Sequence, residues 1–511
     1  MGGPRRERSI MSTENKKRNG FASSLGFVLA SAGSAVGLGN IWGFPYKTGA
    51  NGGAAFVLVY VVMALLIGIA GMVAEMYLGR RAQANPVTAF KKVDKRLGGL
   101  GLLAVVIPFF IICYYSVLGG YTLRCAVSSF ADIGKSFTEI GGGMDSFMAN
   151  PWLPVVCTVI FLATAVVIIM GGVQKGIEKA SKVLMPALFV ILVAVMIYSL
   201  CLGEGVKDGL NFYILKLDFK ALGWTGVAAA MGQVFFSMSL GMGIMVSYGS
   251  YTGKEINLFK SAVQVSIIDT CIALMAGLAI FPAAYHFMAV EGVAPEAMGL
   301  GGFALLFYTL PQVFASLGVV GAIVGFLFFV MVAIAAITSV VSLVEVVTQF
   351  VIQKMRISRK KAAVIPMIIA AVISVFVSLS LGGHFTVFGR DLLTVFDEMT
   401  NTVLMPLCAL AAALVVGWGI KTREMSDNIY PGQPFVGTMV SYMVKSLTPL
   451  LILVVAVFGM ASNVIKDGSY WAIIAAAFLL TLVFFAVYYL FFMNKDTGCN
   501  ADEPGLSEQD N

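Results

Sequence analysis

The chain has 511 residues, of which 59% are hydrophobic and 12% are charged, and its mean hydropathy is +0.90. Soluble domains contain about 25% charged residues, so one water-soluble core is excluded and a polytopic membrane protein is predicted. The net charge of +7 does not indicate nucleic-acid binding, because the basic clusters lie at the ends of apolar runs. With two histidines and seven scattered cysteines, a histidine-rich or Cys-x-x-Cys metal site is also excluded.

A helix needs about 20 mainly apolar residues to cross a bilayer, and twelve such runs follow along the chain. They are 21–46, 54–78, 100–127, 152–170, 177–202, 222–250, 258–287, 314–352, 362–381, 390–420, 436–461 and 470–493. An even number of spans puts both termini on one side. That side holds 25 of the 34 Lys and Arg residues, which predicts cytoplasmic termini. The longer outer loops, 129–151 and 288–313, carry acidic and Gly-rich stretches.

Two of the predicted spans contain closely spaced glycines that weaken a helix. The first contains GSAVGLGNIWGFP, in which Gly37 and Gly39 are two residues apart, and the sixth contains FFSMSLGMG, with Gly241 and Gly243 in the same relation. Packing glycines recur every four residues on one face, whereas glycines two apart face different sides. We therefore predict a break in each span. Interrupted helices at equivalent places in two halves are typical of inverted-repeat transporters, which bind substrate and ions there.

Polar side chains in other spans support this interpretation. Asp269 is an ionisable residue inside the seventh span, a costly position that indicates function by default. Thr338 and Ser339 add two hydroxyl groups in the eighth span, and Tyr115 adds one in the third. Each has a structural alternative, because Ser and Thr bond their own backbone and Tyr lies at membrane interfaces. Together they favour a polar binding site.

These motifs, with NGGAAF at 51–56 and AAITS in the eighth span, resemble the neurotransmitter:sodium symporter family, in particular its bacterial amino-acid transporters. The resemblance implies an all-α membrane protein of about twelve transmembrane helices with the LeuT fold. In that fold five spans are followed by five inverted ones, and the first and sixth are unwound. The implied divisions are a polar cytoplasmic N-terminal tail (1–17), a first repeat (18–203), a second repeat (204–435), spans 11 and 12 (436–494) and a cytoplasmic C-terminal tail (495–511).

The resemblance also implies two sodium sites, whose oxygen ligands suit a hard alkali cation. The first, beside the substrate carboxylate, is expected at Ala35, Asn40, Ser237 and Asp269. The second is expected at Gly33, Val36, Ala335, Thr338 and Ser339. Relatives that use chloride need it to balance the charge near the first sodium. A carboxylate at Asp269 therefore predicts that chloride is not required.

The implied substrate pocket combines residues of the broken spans with the third and eighth spans. Its members are Ser34, Ala35, Leu38, Gly39, Ile111, Tyr115, Phe236, Ser237, Ser239, Met242, Ser339 and Leu343. Family members that transport amines lacking a carboxylate have an acidic residue where this chain has Gly37. The neutral Gly37 therefore favours a zwitterionic amino acid as the substrate. Met242, with Gly243 beside it, can re-pack around large side chains, which favours a hydrophobic or aromatic amino acid.

Gating roles follow from the same resemblance, with departures. The residues expected to close or support the pathway are Arg18, Phe21, Glu75, Tyr115, Phe236, Gly176 and Pro186. Phe21 stands where the family usually has Trp, and Gln353 where it has Asp. Gly43 and Thr400 stand where the family has an Arg and an acid that pair across the outer vestibule. This pair is predicted to be absent, and outer closure to depend on Tyr115, Phe236 and packing.

The sequence thus predicts a secondary active transporter that couples sodium to a neutral, hydrophobic or aromatic amino acid by alternating access. The alternatives are a proton-coupled or uncoupled transporter of another small zwitterion, or a ligand-gated channel or membrane sensor of the same fold. An enzyme is not predicted, because the sequence shows no nucleophile–His–acid set, metal cluster or P-loop. The expected partners are the amino acid and the lipid bilayer, without nucleic acid or an obligate protein, and the expected location is the plasma membrane (bacterial inner membrane).

Overall fold

The computed structural model describes residues 20–292 and 302–467. Their regular structure is helical apart from two isolated β-bridges. The segments named here as spans are span 1a (Ser24–Ala35), 1b (Gly39–Gly43 and Phe44–Ala50), 2 (Ala54–Met63, Ala64–Gly68 and Ile69–Ala82), 3 (Gly98–Ala131), 4 (Leu153–Met170), 5 (Val173–Glu178 and Lys179–Leu200), 6a (Phe219–Ser237), 6b (Ile244–Gly249), 7 (Leu258–Glu291), 8 (Gly318–Met355), 9 (Arg359–Leu381), 10 (Leu392–Glu398, Met399–Leu404 and Met405–Gly419) and 11 (Pro434–Tyr442, Met443–Leu447 and Thr448–Asp467). Shorter helices connect them: Pro86–Lys91, Lys95–Leu97, Phe137–Ala149, Val206–Leu210, Asn211–Leu215, Gly302–Ala304, Leu305–Thr309, Leu310–Ser316 and Thr422–Ile429.

Most of the predicted spans lie in the part of the chain that the structure describes. Within it, nine helices are long and apolar enough to cross a membrane, and spans 1a and 1b make a tenth that is bent by 48°. Span 6 is divided into a long and a six-residue helix. The predicted twelfth span at 470–493, the tails at 1–17 and 495–511, and Arg18 lie outside the described residues.

The two outer segments predicted as loops contain helices. Phe137–Ala149 begins at Ser136, whose side chain caps the helix while Glu139 bonds back to the Ser136 backbone. Leu310–Ser316 extends a helical stretch that starts at Gly302. The prediction of loops here was incomplete, because it rested on glycine content and gave no weight to the capping sequence that starts the first helix.

Spans 3 and 8 pack against each other more extensively than any other pair in the described chain and form its centre. The small residues Gly119 and Gly120 of span 3 face span 4, where a Cβ would collide with Phe161 or approach the backbone of Thr158. Large apolar side chains such as Val167 and Val190 are exposed on the outer surface. An extensive exposed apolar surface is what a membrane-embedded protein presents to lipid.

Candidate substrate and ion sites between the broken helices

Span 1 breaks where the sequence predicts. The helix ends at Ala35, Val36 adopts an extended conformation, and helical bonding resumes at Gly39. Two side chains satisfy the backbone freed there. Asn40 Oδ1 accepts a bond from Gly37 N at 3.2 Å, and the hydroxyl of Tyr115 accepts one from Leu38 N at 2.8 Å. The break is therefore held open by groups from span 1b and span 3.

Span 6 breaks between Ser237 and Ile244. Ser239, Gly241 and Gly243 have positive φ values of 56°, 75° and 66°. This conformation suits glycine, which has no Cβ to collide with the backbone. A Cβ on Gly241 would also overlap the carbonyl oxygen of Met405. The Gly241 N–H donates to Glu75 Oε1 at 2.7 Å, so a carboxylate of span 2 satisfies part of the unwound backbone.

A cluster of oxygen-bearing side chains lies between the two breaks and span 7. The Asp269 carboxylate accepts bonds from Asn40 Nδ2 at 2.8 Å, from Ser237 Oγ at 2.7 Å and from the Tyr60 hydroxyl at 3.2 Å. All four residues are fully buried. A buried carboxylate requires hydrogen-bond or cationic partners. The carboxylate and hydroxyl oxygens gathered here are donor types that a hard alkali cation takes, and the Asn40 amide beside them has its oxygen turned to Gly37 N. Ala35, the remaining residue of the first predicted sodium site, is buried nearby in the wall of the central cavity.

Span 8 meets the other side of the span 1 break. Ser339 Oγ donates to the Ser34 carbonyl at 3.0 Å and lies 3.4 Å from the Val36 carbonyl oxygen. Thr338 Oγ1 donates to the Ala335 carbonyl at 2.9 Å. The structure thus brings the hydroxyls and carbonyls of the second predicted sodium site onto two facing segments. Gly33 lies beside span 5, where an added Cβ would be 3.4 Å from Met185 Sδ.

A small cavity, of about 20 Å³, lies between the breaks. Ten of its lining residues are those expected from the sequence: Ser34, Ala35, Gly39, Ile111, Tyr115, Phe236, Ser239, Met242, Ser339 and Leu343. Gly37 and Ile244 complete the lining. Leu38 and Ser237, also expected there, do not line it: Leu38 contributes its N–H to Tyr115, and Ser237 turns to Asp269. The rings of Tyr115 and Phe236 lie 6.3 Å apart at its edge.

Two polar residues of this region were missed by sequence reasoning. Tyr60, on span 2, bonds both Asp269 and Ser237. Gln233, on span 6a, donates from Nε2 to the carbonyl of Gly39, the first residue of span 1b, at 2.6 Å. The signal for Gln233 was available, because it is an amide inside a membrane-spanning run and such polar groups mark functional sites. Tyr60 gave no comparable signal, since tyrosine is common in membrane helices.

Aromatic and charged residues connect the ends of several spans near Phe21. Phe21 packs edge-on against Tyr248 and Tyr251, with ring centroids 5.6 and 6.5 Å apart. The Tyr251 hydroxyl donates to Glu345 at 2.6 Å, and the fully buried Glu345 also pairs with Arg359. These contacts join the start of span 1a to spans 6, 8 and 9.

Gly176, Pro186 and Gln353 have different surroundings. Gln353 accepts a bond from the backbone N–H of Asn85 at 3.1 Å and takes no part in an ion pair of the described chain. Gly176 falls in the wider helical turn Val173–Glu178 at the start of span 5, where a Cβ would overlap the Ile168 carbonyl. Pro186 lies within the following helix. Span 5 is thus irregular at its first turn, where Gly176 lies.

Two broken helices, a central cavity and buried oxygen clusters beside it define a membrane transporter of the inverted-repeat class. A family model described as the sodium:neurotransmitter symporter family matches residues 18–134 and 135–494. The chain is 34% identical over 450 residues to the sodium-dependent transporter YhdH of Bacillus subtilis, covering 85% of this chain and 96% of that one. It is also 28% identical to the mouse sodium-dependent neutral amino acid transporter B(0)AT2, over 53% of this chain and 41% of the relative.

Among solved structures, the chain is similar to MhsT in complex with L-phenylalanine. The TM-score is 0.78 and the identity 39%, over 86% of this chain and all of that one. The predicted fold class, an all-α membrane protein with the LeuT fold, is confirmed. The chain belongs to the sodium:neurotransmitter symporter family. It is a sodium-dependent transporter of the multi-pass membrane type and not an enzyme, as the sequence predicted.

Proposed function

We propose that this protein transports a neutral hydrophobic or aromatic amino acid into the cell together with sodium, by alternating access. The observation that carries the proposal is the central cavity, which lies between the two broken helices and adjoins the Asp269 cluster. The cavity is small in this structure, about 20 Å³, so the surrounding spans would have to move apart to admit an amino acid. Such a movement is what alternating access requires.

The ends of the cavity suit a zwitterion. A Cβ on Gly37 would overlap Ser339 Oγ and lie 2.6 Å from the Tyr115 hydroxyl oxygen, so this wall leaves no room for an acidic side chain. The substrate amine would therefore meet the carbonyl oxygens of the broken helices. The Tyr115 hydroxyl accepts a bond from Leu38 N, which leaves its own proton free to donate to the substrate carboxylate.

The walls of the cavity suit an apolar side chain. Ile111, Phe236, Met242, Ile244 and Leu343 all face it. Apolar lining with a few convergent polar groups is the usual composition of a small-molecule site. The similarity to MhsT in complex with L-phenylalanine and to a neutral amino acid transporter supports this class of substrate.

We propose two sodium ions as co-substrates, held by the two residue sets named in the sequence analysis. The first would bind at Asn40, Ser237 and Asp269 with the Ala35 carbonyl, and the Tyr60 hydroxyl would orient the carboxylate. The fixed negative charge of Asp269 would offset the first sodium, so chloride would not be required. The second ion would bind where Thr338 and Ser339 face the carbonyls of span 1a. Binding energy from both ions would draw the segments around the cavity together, which couples sodium to closure.

Uptake into proteoliposomes tests this function. Wild-type protein should accumulate labelled Leu, Met, Phe, Tyr or Trp under an inward sodium gradient, and should fail in potassium or lithium at any pH. Uptake that persists in gluconate medium would support chloride independence. Uptake driven by a pH gradient without sodium would favour the proton-coupled alternative. Equal uptake in potassium would indicate an uncoupled transporter.

The remaining alternatives give different signals in the same vesicles. A ligand-gated channel would carry currents that exceed the substrate flux. A sensor would bind the amino acid without accumulating it. The proposed orientation, with both termini in the cytoplasm of a bacterial cell, can be checked by protease access to terminal tags in inside-out and right-side-out vesicles.

A further inference from the structure

A second cavity, of about 200 Å³, lies between spans 1b, 6a, 10 and 11. Its lining includes charged residues of both signs: Lys47 of span 1b, and Asp397 and Glu398 of span 10. Apolar residues of spans 6a and 11, among them Met231 and Val455, form the rest of the wall. A cation in a membrane helix is costly, and its presence indicates a function in which a nearby acid is the partner.

Lys47 is connected to the central site through one side chain. Its Nζ donates to Gln233 Oε1 at 3.0 Å, and Gln233 Nε2 donates to the carbonyl of Gly39, the first residue of span 1b and part of the central cavity wall. Among residues 20–292 and 302–467, no carboxylate forms an ion pair with Lys47. The Lys47 ammonium is thus hydrogen-bonded to a neutral amide at the edge of this cavity.

The two acids of span 10 differ in their partners. Glu398 already pairs with Arg390 at 2.6 Å. Asp397 accepts bonds from two neutral groups, the Asn401 amide at 2.6 Å and the Tyr114 hydroxyl, and forms no ion pair with a cation of the described chain. Asp397 is therefore the carboxylate whose charge is free to meet Lys47.

The position of these charges accounts for the two departures noted in the sequence. Lys47 lies four residues after Gly43, and Asp397 three residues before Thr400, which is about one helical turn in each case. A side chain at position 43 would also meet resistance, because a Cβ there would be 3.2 Å from Gln233 Oε1. Gln233 fills the space that a longer side chain on Gly43 would need, and the cation is carried one turn further along the same helix.

We propose that Lys47 and Asp397 form the ion pair that closes the outer path over the bound substrate. Closure brings span 1b toward span 10, so the ammonium and the carboxylate meet across the narrowed cavity. The Gln233 bridge links this movement to Gly39 at the start of span 1b, which lines the cavity where the substrate would bind. Outer closure in this protein then depends on charge as well as on the packing of Tyr115 and Phe236. This inference rests on the proposed function, because it requires a substrate that triggers closure.

Cysteine accessibility tests the pair directly. Ala229 lines the same cavity and is half-buried, so Ala229→Cys in a background without the native cysteines reports whether the cavity is open. In otherwise wild-type protein, sodium with the transported amino acid should slow modification by a charged methanethiosulfonate about tenfold, within the usual range of coupling between two sites. Lys47→Gln and Asp397→Asn should each remove most of that protection and reduce uptake.

Three further variants complete the design. The exchange Lys47→Asp with Asp397→Lys should restore protection, and Lys47→Arg should keep it. Lys135→Gln is the matched control, since this lysine already pairs with Asp132 at 2.9 Å in a different part of the chain and its loss should change nothing. Each variant is first checked for sodium-dependent substrate binding, so that misfolded protein is not scored.

The outcomes separate this inference from the proposed function. If wild-type protein neither binds nor transports an amino acid, the proposed function fails. If wild-type protein transports and is protected, but Lys47→Gln and Asp397→Asn keep full protection, the ion pair is refuted. A charge exchange no better than the single variants, in protein that still binds substrate, would likewise refute direct pairing.

Discussion

Asp269→Asn isolates the contribution of one negative charge to sodium binding. Asparagine has the same shape, and its oxygen can still accept the bond from Asn40 Nδ2. Its amide can donate to the oxygens of Ser237 and Tyr60, whose hydroxyl protons then turn away. The number of hydrogen bonds around position 269 is therefore preserved, and the main loss is the charge that would face the cation.

The size of the effect follows from the geometry. Two unit charges about 4 Å apart attract by roughly 4 kcal/mol at an effective dielectric constant of 20. Part of this loss of attraction is offset, because the neutral variant avoids the desolvation cost of burying the Asp269 carboxylate. We expect a net loss of about 2 kcal/mol, which corresponds to roughly a 30-fold higher sodium concentration for half-maximal substrate binding.

The assay is substrate binding to purified protein at increasing sodium concentration, with choline replacing sodium. Ser266→Ala is the matched control, because Ser266 is buried on the same helix one turn earlier and takes no part in the side-chain hydrogen bonds to Asp269 within the described chain. It should keep the wild-type sodium dependence. An unchanged sodium requirement in Asp269→Asn, in protein with wild-type thermal stability, would refute a role for this carboxylate in sodium binding.

Three further substitutions probe the breaks and the cavity. Gly241→Ala, whose Cβ would overlap the Met405 carbonyl at a positive φ, should abolish uptake and lower the melting temperature in detergent; wild-type stability would contradict this. Tyr115→Phe removes the acceptor for Leu38 N and a donor to the substrate, so affinity should fall by about tenfold, as expected for loss of one or two buried hydrogen bonds; equal affinity in competition binding would exclude this role. Met242→Phe should make the cavity smaller and shift competition from Trp toward Leu; an unchanged ranking would place the substrate side chain elsewhere.

The breaks were the most predictable part of the site. Glycines two residues apart cannot share a packing face, so the pattern at Gly37 and Gly39, and at Gly241 and Gly243, is enough to predict both interruptions. The ionisable Asp269 was equally visible, because hydrocarbon rarely contains a carboxylate. Resemblance to a family then placed ten residues of the cavity wall.

What the sequence could not provide was the contact partner of each polar group. Gln233 and Lys47 lie far apart in the chain. Only the fold shows that the Gln233 side chain bonds both the Lys47 ammonium and the Gly39 carbonyl. Leu38 was predicted to line the cavity because of its place in the motif, but the turn of the backbone directs its N–H to Tyr115. A motif specifies which residues are near a site, whereas the rotation of the unwound backbone decides which side of each residue faces it.

Span 6b has a consequence for how the transport cycle can be observed. Ile244–Gly249 has only six residues, and helices shorter than about 12 residues are marginal by themselves in water. Every one of these residues is buried, so the helix persists through its neighbours. Its amide hydrogens should therefore exchange with deuterium only when the surrounding spans separate. The exchange rate of this short segment then reports how often the surrounding spans separate, and mass spectrometry can measure it in the unsubstituted protein.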